Sequence, residues 1–169
     1  MTDVRPILDD NRRAVGDLLA AAERCGDDVW TAPRAPGKWS PSQIVEHVAR
    51  SLEEATNVVS GRPSKFMKLP FFLRPVARGL FFNRTLRRAA FPKAKTTKAL
   101  DPTAGPATPA EARVHLEAAL ESFDRGCRAR AQTGEAVESE AFGRVSLADY
   151  ARFVALHTRH HCKQMPGGT

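Results

Sequence analysis

Apolar side chains recur at intervals of three and four residues in four stretches of this chain, and that spacing predicts four amphipathic helices. The predicted helices cover residues 4–25, a stretch that begins at Ser40, residues 107–131, and a stretch from Ser146 to just before Pro166. No alternation of strands with helices and no internal repeat accompanies them. The pattern therefore predicts an all-α protein, a helical bundle with one long connection between its second and third helices.

Polar residues with capping chemistry mark where three of these helices begin. Ser40 is followed by Pro41 and Gln43, which is the sequence of a capping box with proline at the first helical position. Thr108 and Ser146 are expected to cap the third and fourth helices in a similar way. The buried stripe of the third helix is expected to consist of Val114, Ala118, Leu120, Phe123 and Cys127.

The two tryptophans, Trp30 and Trp39, both lie in the connection between the first and second helices. Pro33, Pro36 and Gly37 exclude a helix over that stretch. We expect both indole rings to cap one end of the hydrophobic core, and stacking against a ligand is the alternative.

Residues 61–106 are interpreted as a crossover segment inside a single domain of residues 1–169, not as a separate domain. They contain six prolines and six of the nine phenylalanines. One helix is expected from Pro75 to Ala90, and the phenylalanines are expected to fill one end of the core. The apolar side of that helix should carry Val76, Leu80 and Phe81, and its other side Arg84, Arg87 and Arg88.

The composition, with 42% hydrophobic and 27% charged residues, is that of a globular protein. The formal net charge of +7 is concentrated between Arg62 and Lys98, where eleven Lys or Arg residues occur without one Asp or Glu. No nucleic-acid-binding motif accompanies this basic segment, so a nucleic-acid partner is not expected. Binding to an anionic membrane surface, or to an acidic substrate or partner, stays open as an alternative to a solvated crossover.

Features that would direct the chain to a membrane or to export are missing from the sequence. There is no apolar run as long as a membrane span and no signal peptide at the N-terminus. The three cysteines, Cys25, Cys127 and Cys162, are scattered and form no CxxC pair. These features predict a reducing, cytoplasmic location.

Two histidines of the fourth helix, His157 and His161, are four residues apart and therefore lie on one helical face, where they can share a metal ion. His47 is the candidate third ligand, although a single histidine at a core edge is more often structural. His115 is expected to be a surface residue. Three His ligands with an open position are typical of a catalytic site, since structural zinc sites are usually closed by four protein ligands. Thr158 stands where an HExxH protease has its glutamate, so that chemistry is not supported.

Two segments carry motifs of a known family. The first, residues 37–48, reads Gly-Lys-Trp-Ser-Pro-Ser-Gln-Ile-Val-Glu-His-Val. The second combines Phe142-Gly143 and Ser146-Leu147 with His-x-x-His-His-x-x-Gln over residues 157–164. In order and spacing these segments resemble the second-helix and fourth-helix motifs of the DinB-like superfamily, the damage-inducible, metal-binding helical bundle proteins.

The resemblance implies a four-helix bundle in up-down-down-up order, commonly assembled as a homodimer. It also implies a divalent metal ion, zinc or nickel, held by His47, His157 and His161. His160 is rotated by about 100° from His161 on the helix, so it is not assigned as a ligand. His160 and Gln164 are instead implied as residues beside the ligands.

The same resemblance implies an S-transferase or isomerase that uses a low-molecular-weight thiol, or a metal-dependent hydrolase. The partner would be a small-molecule substrate or thiol, and the sequence assigns no catalytic residue. An anionic thiol is expected to contact Arg84, Arg87 and Arg88, while Glu54, two turns after His47, is a weaker candidate for the same cavity. Two alternatives stay open: a non-catalytic metal-binding or stress-associated bundle, and a basic protein that binds a membrane surface or a partner.

Overall fold

The structure is a computed structural model and describes residues 3–92, 96–134 and 136–167. These residues are mostly helical, with one small antiparallel sheet, which confirms the all-α prediction. None of the described helices is both long and apolar enough to cross a membrane. The elements are α1 (Arg5–Glu23), α2 (Asp27–Trp30), α3 (Pro41–Val59), α4 (Arg74–Ala77), a π-helical turn (Arg78–Phe82), α5 (Asn83–Arg88), a 3-10 turn (Lys98–Leu100), α6 (Pro109–Thr133), β1 (Val137–Ser139), β2 (Gly143–Val145) and α7 (Leu147–Cys162).

The predicted caps are found at the start of α3, α6 and α7. Ser40 Oγ accepts a hydrogen bond from the Gln43 N–H at 3.2 Å, and Gln43 Oε1 accepts one from the Ser40 N–H at 3.0 Å. Thr108 and Ser146 each accept a hydrogen bond from the N–H three residues further on. Because the capping box fixes the first residue of α3, it also fixes His47 in the second turn of that helix.

The long helices α1, α3, α6 and α7 share one hydrophobic core. Helix α3 lies along α6 and α1 lies along α7, while α1 also packs against α6. Trp30, Phe82 and Phe123 are the largest fully buried side chains. Gly126 allows α6 to approach α3 closely, because a Cβ there would lie 2.9 Å from a methyl group of Val59.

The buried face of α6 differs from the predicted one. Val114 and Ala118 are exposed, so their assignment to the core was wrong. Val114 lies nine residues before Phe123, which is about two and a half turns, and the two side chains therefore leave opposite sides of the helix. The observed apolar face consists of Ala112, Leu116, Ala119, Phe123 and Cys127.

A β-hairpin formed by β1 and β2 connects α6 to α7, and the sequence analysis did not predict it. Val137 pairs with Val145 in the ladder, and both side chains are buried. Gly143 has a φ of 69°, a conformation that glycine adopts at little cost at the end of the turn. The Leu69 N–H donates to the Glu140 carbonyl at 3.0 Å, so the hairpin also holds the crossover segment in place.

The crossover segment contains one continuous helical stretch from α4 through the π-helical turn to α5, close to the predicted bounds. The predicted apolar side was wrong for Val76 and Leu80, which are exposed, whereas Phe81 lines the cavity beside the buried Phe82. A π-helical turn contains more residues than an α-helical one, so it rotates the side chains that follow it away from the regular helical pattern. Residues 93–95, which include two lysines of the basic segment, lie outside the described ranges.

Candidate metal centre

The three histidines of the predicted site come from two helices. His47 lies in α3, and His157 and His161 lie one turn apart in α7. His47 and His161 are buried, while His157 is half-buried. One ligand atom from each of the three lies within 4.8 Å of the others, so the fold brings the predicted set together.

The distances between the imidazole nitrogens suit a single metal ion. His157 Nε2 lies 3.3 Å from His47 Nε2 and 3.1 Å from His161 Nε2. Zinc–nitrogen bonds of about 2.0–2.1 Å at tetrahedral angles would place such nitrogens about 3.3 Å apart. Both distances from His157 are therefore compatible with one divalent ion bound by the three rings.

The hydrogen bonds of the outer ring nitrogens determine where the lone pairs point. His47 Nδ1–H donates to the Leu100 carbonyl at 2.9 Å, and His161 Nδ1–H donates to Gln164 Oε1 at 3.0 Å. A neutral imidazole with its proton on Nδ1 carries a lone pair on Nε2. The lone pairs of His47 and His161 thus both face His157 Nε2, an arrangement that a cation between the rings would stabilise.

Burial keeps these imidazoles uncharged. Desolvation lowers the pKa of His47, and it lowers the pKa of His161 to about 3 with help from the nearby His47. The pKa of His157 is also lowered well below its ordinary value, first by desolvation and then by His161 and His47. Since metals bind the neutral form of histidine, all three rings are ready to coordinate at neutral pH.

Gln164 links the cluster to His160. Gln164 Oε1 accepts from His161, and the Gln164 amide nitrogen donates to His160 Nε2 at 3.0 Å. Gln164 and His160 therefore lie beside the cluster. Neither of them contributes one of its converging nitrogens, which belong to His47, His157 and His161. The role of Gln164 and His160 in orienting a ligand stays a prediction.

The two tryptophans have different surroundings. Trp30 is buried in the core, as predicted. Trp39 instead forms part of the wall of the site, with its ring centroid 4.8 Å from that of His47 and 6.0 Å from that of His161. The Trp39 indole N–H donates to Asp101 Oδ1 at 3.2 Å, which fixes the orientation of the ring.

The histidine cluster lies at the wall of a cavity of about 790 Å³. Phe91, from the crossover segment, lies beside the cluster, with its ring centroid 5.1 Å from His157 and 5.7 Å from His160. The crossover phenylalanines were expected to fill the end of the core, and several of them line this cavity instead. The apolar lining includes Phe66, Met67, Leu69, Phe81, Phe91, Phe142 and Phe153.

Two hydroxyl groups in the cavity lining were missed by the sequence analysis. Ser51 Oγ and Thr97 Oγ1 are buried and have no hydrogen-bond partner within the described ranges. Ser51 lies one turn after His47 in α3, and that four-residue spacing is the signal that could have indicated it. Because a buried hydroxyl without a partner is costly, both groups are suited to bind a polar atom of a ligand.

Glu54 does not belong to the site. Its carboxylate accepts hydrogen bonds from the Lys65 N–H at 2.8 Å and from Asn57 Nδ2 at 3.2 Å, and it is not among the described residues that line the cavity. The weaker assignment of Glu54 to the cavity was therefore wrong. His115 contacts Glu53 at 3.0 Å on the outside of α3, in agreement with a surface position.

The cations near the cavity are not the predicted ones. Arg84, Arg87 and Arg88 are exposed, and none of them is among the described lining residues, so their predicted contact with a bound thiol has no support. The π-helical turn that precedes them alters the side to which they project. The cations of the lining are Arg34, Lys38 and Lys163.

A helical fold that brings three neutral imidazoles together beside a cavity is the arrangement of a metal-binding helical protein. The chain belongs to the DinB superfamily, whose family profile matches residues 11–165. The match spans both motif segments and confirms the resemblance. No curated protein and no solved structure matches the chain significantly.

Proposed function

We propose that this protein is a metal-dependent enzyme that acts on a small molecule or thiol, with a divalent metal ion held by His47, His157 and His161. The observation that carries the proposal is the convergence of one ring nitrogen from each of the three histidines at the wall of the cavity. Three protein ligands leave a coordination position for water or substrate, as in catalytic zinc sites. Imidazole ligands suit both zinc and nickel, the two metals that we propose.

The proposal includes a four-helix bundle in up-down-down-up order. Contacts between α3 and α6 follow the same order along both helices, which supports a parallel pair. Contacts between α1 and α6 run in the opposite order, and the direction of α7 is taken from the family. The supporting pairs are Glu53 with His115 and Val59 with Arg130 for α3 and α6, and Glu23 with Arg113 and Arg12 with Asp124 for α1 and α6.

The chemistry of the site would be shared between the metal and the chain. A metal held by these histidines would lower the pKa of a bound water or thiol and so supply a nucleophile at neutral pH. The Leu100 carbonyl and Gln164 hold the ligand imidazoles in the required tautomers. The phenylalanine-rich wall would contact the apolar part of a substrate, and Ser51 and Thr97 would offer it hydrogen bonds.

The cavity favours a substrate with an apolar part and an anionic group. The apolar part would contact the phenylalanine rings, while Arg34, Lys38 and Lys163 provide positive charge at the lining. Glutathione and bacillithiol carry carboxylates and so meet the second requirement, whereas mycothiol carries none and does not. A substrate of this kind could take part in thiol transfer or in hydrolysis, so the proposal includes both reactions.

Turnover with and without metal tests this proposal. Protein loaded with zinc or nickel is assayed with each thiol plus an electrophile, and with ester and amide substrates, beside chelator-treated protein. We expect turnover in the metal-loaded form alone, and a decrease of about 100-fold or more in His157→Ala. The control, His115→Ala, removes a histidine outside the cluster and is expected to retain activity.

A folded, metal-loaded protein that is inactive across this panel would contradict the enzymatic proposal. That result would favour the alternative, a non-catalytic metal-binding bundle. Circular dichroism of each variant distinguishes a lost site from a lost fold.

A further inference from the structure

The crossover segment exposes a group of large apolar side chains on its outer side. Among the described residues, six of the eight exposed large hydrophobic side chains lie within this one stretch of fourteen residues. Their exposed fractions run from 42% to 79%. Met67 also lines the cavity, so we refer to the other five as the outer patch: Phe71, Phe72, Leu73, Val76 and Leu80.

The outer patch is held in position by the buried side of the same helical stretch. Leu73, Val76 and Leu80 follow one another at intervals of three and four residues, so they lie on one side of the helix. The other side carries Phe82 and Leu86, which are buried. This buried side anchors the stretch to the core, and the apolar side chains of the patch are exposed.

Basic residues flank the outer patch along the chain. Between residues 62 and 98 there are eleven Lys or Arg residues and no Asp or Glu. Of the acidic groups brought near by the hairpin, Glu140 pairs with Lys68 at 3.0 Å and Glu138 with Arg144 at 3.9 Å. Arg84, Arg87 and Arg88 follow the patch along the chain and are exposed. The surface therefore combines projecting apolar groups with a strong excess of positive charge.

We propose that the outer patch binds the surface of an anionic lipid membrane, with the headgroups at the basic residues and Phe71, Phe72 and Leu80 in the interface. Apolar insertion combined with attraction to anionic lipids is the physical basis of peripheral membrane binding. Since no described helix is suited to cross a membrane, the association would be peripheral. This inference is independent of the metal site and of the proposed enzymatic function.

A second copy of the chain is a poorer occupant of the same surface. A twofold interface would place the same patch on both subunits. The basic residues of the two copies would then face each other, and the segment carries no acidic residue to pair with them. Charge complementarity therefore favours an anionic membrane.

Vesicle flotation tests the inference. The full chain is mixed with vesicles of equimolar phosphatidylglycerol and phosphatidylcholine, and separately with vesicles of phosphatidylcholine alone. We expect flotation with the anionic vesicles, weakened by high salt because the basic residues act through screened electrostatic attraction. The triple variant Phe71→Ser, Phe72→Ser, Leu80→Ser is expected to reduce the floated fraction about tenfold.

Two matched controls keep the experiment specific. Val114→Ser removes an apolar side chain that is 70% exposed, as Leu80 is, but lies on α6. Replacing Arg84, Arg87 and Arg88 by Glu should weaken flotation, whereas Arg125→Glu on α6 should not. Absence of wild-type flotation with anionic vesicles, or equal flotation of the triple-serine variant, would overturn the proposal. A different outcome would be a self-associated species in sedimentation that is lost in the triple-serine variant, with no flotation of either protein. That result would show that the patch binds a second copy of the chain.

Discussion

Gln164 makes a hydrogen bond to each of two neighbouring histidines. It accepts from His161 Nδ1 and donates to His160 Nε2, so its amide sets the tautomer of one ring and contacts the other. A partner on the outer nitrogen of a metal-binding imidazole fixes the ring and increases its basicity. Gln164 is therefore expected to influence metal affinity without binding the metal itself.

Replacing Gln164 with Leu removes the acceptor but keeps a side chain of similar size. We expect zinc affinity to fall by about tenfold or more, because His161 loses the bond that holds its lone pair toward the cluster. Competition with a chromophoric chelator measures the change. Gln164→Glu retains an acceptor oxygen and should bind zinc nearly as the wild type does, and wild-type affinity in the Leu variant would disprove this positioning role.

At this scale the sequence predicted the three histidines together with His160 and Gln164, but not the other groups around them. The four-residue spacing of His157 and His161 is a property of any helix, and the family motif indicated His47. The Leu100 carbonyl, the Trp39 ring and the Ser51 hydroxyl depend on how loops and helices meet in space. No local pattern specifies those contacts.

Helices α1 and α7 are joined by a charged contact. Arg159 donates to both carboxylate oxygens of Asp10, at 2.6 and 2.9 Å. This hydrogen-bonded pair lowers the pKa of Asp10 from its ordinary value, mainly through Arg159. The contact lies on the helix that carries His157 and His161, and it therefore also helps to position the site.

The Asp10 contact predicts a pH-dependent contribution to stability. A carboxyl group whose pKa is lowered by folding stabilises the protein above its unfolded pKa of about 4, and that contribution is lost as the pH falls through the folded value. Because both side chains are about one-third exposed, we expect only about 1 kcal/mol, or about 2–4 °C in Tm, at neutral pH.

Thermal unfolding between neutral and acidic pH measures this contribution in the wild type and in Asp10→Asn. The two Tm curves should be separated at neutral pH and converge in acid. Asp28→Asn, at an exposed position in α2, serves as the control and should give the same Tm curve as the wild type. A constant separation at every pH would show that Asp10 acts by packing alone.

The first residues of the helices were predicted correctly where the sequence contains a capping residue. Ser40, Thr108 and Ser146 start their helices as predicted, since each side chain meets a local backbone donor. The orientation of the α4–α5 stretch could not be predicted, because a π-helical turn interrupts the period on which such predictions rest. The hairpin was missed because two strands of three residues carry too little alternation to detect.

The crossover segment gives the whole molecule two different surfaces. Its inner phenylalanines line the cavity beside the histidines, and its outer side chains form the exposed patch. The composition of residues 61–106 indicated an unusual segment. Its path could not be predicted from local pattern, since it is set by contacts with α7 and the hairpin that are distant in sequence. Assembly as a homodimer and a cytoplasmic location both stay predictions.

Binding of zinc by the whole protein is the most direct test of the central claim. Isothermal titration calorimetry of metal-free protein compares the wild type with His157→Ala, and with His115→Ala as the control histidine. The three-histidine site predicts about one zinc ion per chain for the wild type and for His115→Ala, and a large loss of affinity for His157→Ala. Unchanged zinc binding in a folded His157→Ala protein would contradict the assignment.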